Sequence, residues 1–178
     1  EAIGGAVVIF SDDDMGSGVL ISPDGYILTN QHVAGSSGQV RIRWADGAES
    51  AGQVVRADKR RDVALIKVDQ AKGRPLAIRR SPVDVGETVY AIGTPMTEAY
   101  QNTVTRGIVS ATRQLDGQTF IQSDAGMTHG NSGGPLVDEK GAVVGLADLT
   151  VDASKGSTIN FFIPIDEALK ALSLKPAG

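Results

Sequence analysis

Cysteine is absent from the 178-residue chain, and this absence alone removes several kinds of chemistry. Without thiols there can be no disulfide framework, no zinc site built on thiolates and no cysteine nucleophile. Long apolar runs are missing too. Residues 6–10 and 142–147 are among the longest, and both are far shorter than the roughly 18 residues of a transmembrane helix. The sequence therefore predicts no membrane span.

Positive charge is also scarce. The chain has 17 basic and 21 acidic residues and a formal net charge of −4. Its longest basic cluster is Lys59-Arg60-Arg61, too short for a stripe that neutralises nucleic-acid phosphates. We therefore expect no nucleic-acid partner. The chain begins at Glu1 without a charged and then apolar leader, as expected of a mature or trimmed product.

Short segments rich in Val and Ile, bounded by Gly, Asp, Ser or Pro, recur along the chain and predict about twelve β-strands. The segments are residues 6–10, 18–22, 26–29, 40–44, 53–56, 63–68, 88–92, 102–111, 119–122, 136–138, 142–147 and 159–163. Only residues 166–174 show helical spacing, with Asp166 as the predicted N-cap after Pro164. The sequence thus predicts an all-β chain with one short C-terminal helix.

The order of these segments predicts how they pack. No helices of 10–15 residues alternate with the strands, so the pattern favours two antiparallel barrels over βαβ units. Turn signals such as Asp46-Gly47 and Asp116-Gly117 predict hairpins. The polar segment 79–86 is the predicted boundary between an N-terminal half, residues 1–80, and a C-terminal half, residues 81–178. A cleft should lie between the halves.

A glycine-rich segment, Gly130-Asn131-Ser132-Gly133-Gly134-Pro135, predicts a nucleophilic serine. Glycine allows positive φ angles and lets a substrate carbonyl approach the backbone amides. A serine hydroxyl is a weak nucleophile at neutral pH, so it needs a base, and the base needs a third group that fixes its tautomer. Of the two histidines, His32 follows the strand 26–29 and is the predicted base.

Asp62 is the predicted orienting carboxylate, because it opens the apolar strand that starts at Val63. Among the other aspartates between His32 and Ser132, Asp46 lies in a turn and Asp58 in a charged loop. The chain order excludes the α/β-hydrolases, which run Ser, acid, His, and the subtilisin order would need an α/β layout. His, Asp, Ser is the order of chymotrypsin.

Several segments in one order carry a family resemblance: residues 16–30 (GSGVLISPDGYILTN), 32–33, 58, 62–68, 89–93, 104–111, 122–125 and 130–137. Together they resemble the protease domain of the HtrA/DegP serine proteases, in the chymotrypsin superfamily, from about residue 16 to residue 164. The resemblance implies two six-stranded antiparallel β-barrels of the chymotrypsin type. It also implies a serine endopeptidase that needs no cofactor and no metal. The family commonly adds a PDZ domain, and we expect none in these 178 residues.

The resemblance also implies a role for individual residues. His32 would be the general base, Asp62 its orienting group and Ser132 the nucleophile, with the backbone N–H groups of Gly130 and Ser132 as the oxyanion hole. The implied lining of the P1 pocket is Met127, Leu149 and Thr150. Such a pocket would be apolar and shallow and would favour small or medium aliphatic P1 residues. The implied substrates are unfolded or extended polypeptides in a periplasmic or otherwise extracytoplasmic setting.

Two residues depart from the family pattern. His129 follows Thr128 where the family has Asn-Pro or Asn-Arg, and it is either a plain loop residue or a pH-sensitive contact on the leaving-group side. Asp148 stands where the superfamily has a Thr or Ser that hydrogen-bonds the triad carboxylate. Two carboxylates there would repel each other or share a proton, raising the pKa of the pair and shifting activity to alkaline pH. The alternative is a register shift that turns Asp148 into solvent.

Two other functions stay open at this point. A catalytically idle protease fold could serve as a peptide-binding or scaffold module, which Asp148 and the altered loops favour. An esterase or acyl-transfer enzyme would use the same triad with a different substrate cleft. The sequence gives no prediction of the oligomeric state.

Overall fold

The strands of the first half close into a six-stranded barrel. The computed structural model describes residues 2–12, 14–93, 103–127, 130–153 and 157–174. The first barrel has the strand order β1-β2-β3-β6-β5-β4. Its strands are β1 (Ala6–Phe10), β2 (Met15–Leu20), β3 (Tyr26–Thr29), β4 (Gln39–Arg43), β5 (Glu49–Asp58) and β6 (Val63–Val68).

The second half forms another closed barrel, in the order β10-β11-β12-β9-β8-β7. Its strands are β7 (Thr88–Gly93), β8 (Thr103–Leu115), β9 (Gln118–Ser123), β10 (Pro135–Val137), β11 (Val143–Ala153) and β12 (Ser157–Pro164). The predicted two antiparallel six-stranded barrels are thus confirmed. Strands β5, β8 and β11 are longer than predicted. The prediction followed only the apolar part of each strand, and their outer ends are polar.

Tight turns of the expected chemistry join neighbouring strands. Asp116 and Gly117 both have positive φ, 51° and 77°, in the hairpin between β8 and β9. A two-residue turn with this twist matches the twist of the strands that it joins. Gly47, with φ of 90°, plays a similar part between β4 and β5.

The helices are short. After a 3₁₀ turn at Ala2–Gly5, the first α-helix, α1 (Gln31–Ala34), follows β3 and was not predicted, because four residues are too few to show a periodicity. Helix α2 (Ile165–Ala171) is the predicted C-terminal helix. The prediction of Asp166 as its N-cap is wrong: Pro164 holds that position and Asp166 lies in the first turn. There its charge favours the helix N-terminus.

The predicted end of α2 at residue 174 is also wrong, since the helix ends at Ala171 and Ser173 has a φ of 55°. Within the described residues no helix is long and apolar enough to cross a bilayer.

Within the described part of the chain, three apolar clusters hold the barrels together. One fills the first barrel around Ile27, Ile42 and Ile66, and another fills the second barrel. The third cluster contains residues of both barrels and of α2, including Leu28, Leu65, Leu146, Ile163 and Leu169. Because this cluster packs one barrel against the other, it fixes the seam between them.

The segment between β6, which ends at Val68, and β7, which begins at Thr88, joins the two barrels. Within it, Ile78 forms an isolated parallel bridge with Val143, and the N–H of Arg79 donates to the Val143 carbonyl. The predicted boundary between residues 80 and 81 falls in this segment and stays a prediction.

Candidate active site

His32 and Asp62, thirty residues apart in sequence, meet at the edge of the first barrel. The His32 ring nitrogen Nδ1 lies 2.6 Å from Asp62 Oδ2, and the His32 backbone N–H donates to Asp62 Oδ1 at 2.9 Å. These two contacts, one on each carboxylate oxygen, fix the His32 ring and the Asp62 carboxylate relative to each other. The His32 side chain remains 44% exposed and that of Asp62 23%. The imidazole can therefore meet a substrate on its outer side.

Local structure explains this meeting. His32 lies in α1, directly after β3, and Asp62 lies directly before β6, and β3 and β6 are hydrogen-bonded neighbours. Asp62 has a φ of 64°, a left-handed conformation that Asp and Asn tolerate better than most residues. The Asn30 side chain donates from Nδ2 to the Asp62 carbonyl oxygen at 3.0 Å and so holds that conformation.

The electrostatics of the pair favour an ionised carboxylate. The hydrogen bond to Asp62 is the main cause that raises the pKa of His32, and partial burial opposes it. Burial alone would raise the pKa of Asp62, but the hydrogen bonds with His32 and the contact with Asp148 outweigh it, and that pKa is lowered. Asp62 is therefore ionised at neutral pH and favours the Nδ1–H form of His32.

The Ser132 segment is anchored to the first barrel beside His32. The Ser17 backbone N–H donates to the Ser132 carbonyl at 2.9 Å, and the Ser17 hydroxyl donates to the Gly130 carbonyl at 2.6 Å. A Cβ at Gly16 would overlap the Val33 side chain of α1 and would lie 3.0 Å from the Ser132 carbonyl oxygen. Residue 132 and the helix that carries His32 therefore approach the same glycine.

Glycine is required at two positions of the Ser132 segment. Gly130 and Gly133 have φ angles of 101° and 85°, which L side chains rarely adopt. A Cβ at Gly133 would also overlap the Ser17 carbonyl oxygen and the Thr29 hydroxyl, and would lie 3.0 Å from the Asn30 nitrogen. The backbone of this segment can thus reach the seam only because these residues have no side chain.

The Ser132 side chain is half-buried. Among the residues that the structure describes, its hydroxyl has no hydrogen-bond partner. The base and the serine are therefore brought to one seam without a hydrogen bond between them. In free enzymes such catalytic hydrogen bonds are often long and tighten only when substrate binds.

Asp148 joins this group from the second barrel. One side-chain ligand atom each of His32, Asp62 and Asp148 lie within 4.8 Å of one another. Asp148 is half-buried, so the expectation that its side chain lies near Asp62 agrees with the structure, and the alternative of a side chain in solvent does not. Burial, followed by the contact with Asp62, raises the pKa of Asp148 to about 8.

The residues predicted to line the P1 pocket occupy different surroundings. Met127 is buried in the core of the second barrel, whereas Leu149 is partly buried against the cluster between the barrels. Thr150 is exposed and its hydroxyl bonds Asn160 Oδ1 at 2.9 Å, while Asn160 Nδ2 donates to the Ala125 carbonyl at 2.7 Å. A P1 pocket formed by these three residues stays a prediction. His129 lies outside the described residues.

Three positions in the site were not singled out from the sequence. Asn30 and Ser17 hold backbone groups of Asp62 and of the Ser132 segment, and the segment 16–30 had marked them only as part of a motif. Arg61 is buried, and its guanidinium lies 4.6 Å from the centre of the Phe120 ring in the other barrel. Two of the aspartates not chosen have other partners: Asp46 accepts the Ala48 N–H, and Asp58 accepts the Arg61 N–H.

Comparison with known proteins identifies relatives of this chain. Residues 16–146 match the trypsin-like peptidase domain. The chain is 42% identical over 172 residues to a probable periplasmic serine endoprotease, DegP-like, from Pseudomonas savastanoi pv. phaseolicola, covering 92% of this chain and 35% of that protein. It is 41% identical over 170 residues to the serine protease HTRA1 of Xenopus tropicalis, covering 89% and 35%.

A solved structure shows the same fold. The chain superposes on the HtrA-type protease AlgW with tripeptide at a TM-score of 0.86 and 35% identity, covering 94% of this chain and 58% of that one. The chain thus spans about a third of the length of the curated relatives that it matches, 35% for the two proteins above.

Proposed function

Because the chain belongs to the trypsin-like peptidase family and its relatives are HtrA/DegP serine proteases, we propose that it hydrolyses peptide bonds as a serine endopeptidase. The observation that carries this proposal is the His32–Asp62 pair, joined at 2.6 Å beside a serine whose backbone is bonded into the same barrel. A base, its orienting carboxylate and an alcohol on one seam are the groups that acyl transfer requires.

The proposed reaction has two halves. In acylation, Ser132 Oγ attacks the carbonyl carbon of the scissile peptide while His32 Nε2 takes the hydroxyl proton. His32 then gives this proton to the leaving amine as the C–N bond breaks. In deacylation, water attacks the acyl-enzyme with His32 again as the base, and Ser132 is regenerated. Asp62 stays ionised throughout and holds the His32 Nδ1–H.

The backbone N–H groups of Gly130 and Ser132 are the proposed oxyanion hole. The φ of 101° at Gly130 supports this assignment. This angle turns the 130–132 backbone away from an extended conformation, and a residue without a side chain adopts it readily. Losing one such donor typically costs about 2.7–4 kcal/mol of transition-state stabilisation. The hydrogen bond between Ser132 and His32 has to form when a substrate enters the seam.

The substrate class follows from the relatives. HtrA/DegP proteases act on polypeptides, and the solved relative AlgW is in complex with a tripeptide. We extend this to unfolded or extended polypeptide segments, with Met127, Leu149 and Thr150 selecting small or medium aliphatic P1 residues. The relative from Pseudomonas savastanoi is named periplasmic, and we propose an extracytoplasmic setting for this chain as well.

Labelling with a fluorophosphonate tests the proposal. The parent chain should be labelled and should cleave an unfolded protein such as casein, and Ser132→Ala and His32→Ala should lose both properties. Asp46→Asn, a change in an exposed turn, should retain both. A parent that is neither labelled nor active would contradict the proposal.

Among the described residues the Ser132 hydroxyl has no hydrogen-bond partner, and this favours one rival, a peptide-binding protein with an idle protease fold. That rival predicts an unlabelled parent that still binds extended peptides. An esterase or acyl-transfer enzyme would be labelled but would turn over simple esters and leave casein intact.

A further inference from the structure

Asp148 occupies an irregular position in β11. Ala147 pairs with Phe162 of β12 and Leu149 pairs with the adjacent Phe161, so two residues advance on β11 where β12 advances by one. This is a β-bulge, and bulges near functional sites re-aim a side chain that a regular strand would send elsewhere. Asp148 is the residue that the bulge leaves unpaired with β12.

The same strand holds the nucleophile segment. The backbone N–H of Ala147 donates to the Gly134 carbonyl at 2.9 Å, and the Ala147 carbonyl accepts the N–H of Gly133 at 2.8 Å. Asp148 therefore follows directly after the residue that anchors the segment of Ser132. Its side chain reaches the first barrel from this anchored position and comes within 4.8 Å of His32 and Asp62.

The carboxyl groups of Asp62 and Asp148 lie close together, and both oxygens of Asp62 already have hydrogen-bond partners on His32. Its Oδ2 lies 2.6 Å from His32 Nδ1, and its Oδ1 accepts the His32 backbone N–H at 2.9 Å. Two neighbouring carboxylates cannot both ionise without a cost, so one of them tends to keep a proton. The hydrogen bonds to Asp62 stabilise its charged form, which leaves the proton to Asp148.

We propose that Asp148 is a positioning residue whose protonated carboxyl donates a hydrogen bond to Asp62 and thereby holds the Asp62 carboxylate against the His32 ring. Its effect on catalysis rests on the proposed function, because it acts through the base. The neutral acid stabilises Asp62 from the second barrel without a second negative charge.

The surroundings of Asp148 favour the protonated form of its carboxyl group. Burial and then Asp62 raise its pKa to about 8, while His32 and Arg61 oppose the rise. Asp14, on the turn before β2, acts on His32 and raises the pKa of that ring together with Asp62 and Asp148. Around Arg61, the acidic groups of α2, Asp166 and Glu167, and Asp58 of β5 offset part of its positive charge.

This arrangement sets an upper pH limit on activity. Below about pH 8 Asp148 donates to Asp62, and above it the donor is replaced by a second negative charge. Repulsion then moves Asp62 away from Asp148 and weakens its hold on His32 Nδ1. The sequence predicts a shift of activity towards alkaline pH from a raised pKa of the two carboxylates, and this stays a prediction. The raised pKa of His32 would move the acid limb of the profile in the same direction. Loss of the proton from Asp148 adds an alkaline limb to the pH profile, and this limb narrows the pH range of activity.

The first test is the pH dependence of kcat and KM on a chromogenic peptide. In the parent, kcat should fall above pH 8, approaching tenfold per pH unit, with KM little changed. Asp148→Asn and Asp148→Thr carry donors that do not ionise in this range, so both should stay active with kcat flat to about pH 9.5. Asp116→Asn, in the exposed turn between β8 and β9, should keep the parent profile. An alkaline limb that persists in both Asp148 variants would overturn the inference.

The second test does not depend on peptidase activity. Proton NMR of Ser132→Ala should show the deshielded proton shared by His32 Nδ1 and Asp62, and this signal should disappear as the pH passes about 8. It should persist above pH 8 when Asp148→Asn is added. A signal with the same pH dependence in both proteins would reject the role of Asp148. An inactive parent with the expected NMR behaviour would refute the proposed function and leave the role of Asp148 intact.

Discussion

Asp62 contacts His32 twice, through the backbone N–H at 2.9 Å and through ring Nδ1 at 2.6 Å. The first contact fixes the helix that carries the ring, and the second fixes the ring itself. Through the two contacts, the paired strands β3 and β6, rather than a loop, determine the position of the imidazole.

The role of the ring contact can be tested with Asp62→Asn. An amide can keep a hydrogen bond to His32 but favours the wrong tautomer, so we expect kcat to fall by about 10⁴ with little change in KM. The measurement is the steady-state hydrolysis of a peptide, with circular dichroism to show that the fold is retained. Asp46→Asn is the matched control, since Asp46 serves only an exposed turn, and its kcat should equal that of the parent. Equal losses in both variants would contradict the role of Asp62.

The twelve strands were predictable from local patterns, and the lack of alternating helices favoured two antiparallel barrels. The barrel type and the meeting of His32 and Asp62 were predictable with the family resemblance, because they depend on strands that are distant in the sequence. Asp62 stood at the edge of an apolar strand, and that strand pairs with the one before His32. The position of Asp148 was not predictable in the same way. It depends on a bulge, which is a relation between β11 and β12 that neither strand shows alone.

The support of Asp62 by Asn30 and the contact of Arg61 with Phe120 were also missed for physical reasons. Asn30 and Asp62 lie 32 residues apart, and their bond follows from the left-handed backbone at Asp62. Arg61 belongs to a basic cluster in the sequence, Lys59-Arg60-Arg61, which is typical of a surface, yet it is only 7% exposed. A burial caused by the packing of the two barrels has no signal in the local sequence.

The backbone requirement at Gly133 predicts the outcome of Gly133→Ala. A Cβ there would meet the Ser17 carbonyl and the Thr29 hydroxyl, and a φ of 85° is itself unfavourable for alanine. We expect the free energy of unfolding to fall by more than about 3 kcal/mol, because an overlap is added to the backbone strain. Urea unfolding followed by circular dichroism is the measurement.

Gly47→Ala is the control for that variant. Gly47 has a similar φ, 90°, but a Cβ added to it would meet no atom of the described residues within 4 Å, apart from those of its two chain neighbours. Only the backbone cost remains, on the order of 1–2 kcal/mol. Similar losses in the two variants would show that the contact with Ser17 and Thr29 does not matter.

The proton on Asp148 also predicts how stability depends on pH. The pKa of Asp148 is raised on folding, from about 3.8 to about 8, so the folded state favours its neutral form. The contribution of this group to the free energy of unfolding is fully present below about pH 4 and is lost as the pH rises towards 8. Asp148→Asn, which cannot ionise, should therefore gain in Tm relative to the parent as the pH rises from about 4 to about 8.

The size of that gain can be measured by differential scanning calorimetry. About 1 kcal/mol corresponds to roughly 2–4 °C in a domain of this size, and we expect at least this difference at about pH 8. Asp116→Asn should follow the parent at every pH, because Asp116 is exposed in a turn. A constant difference between Asp148→Asn and the parent across this pH range would mean that Asp148 does not hold a proton.

Arg61 connects the turn of Asp62 to the second barrel, and Arg61→Lys should show what this connection does. The guanidinium lies over Phe120 and donates to the Thr119 carbonyl, and lysine cannot do both, because it lacks the planar group. We expect a loss of about 1–3 kcal/mol in unfolding free energy and a lower kcat, since Asp62 follows Arg61 directly. Arg60→Lys, at the exposed neighbouring position, should change neither quantity. If Arg61→Lys lowers stability but leaves kcat and its pH profile unchanged, the contact between the barrels stabilises the fold without positioning Asp62.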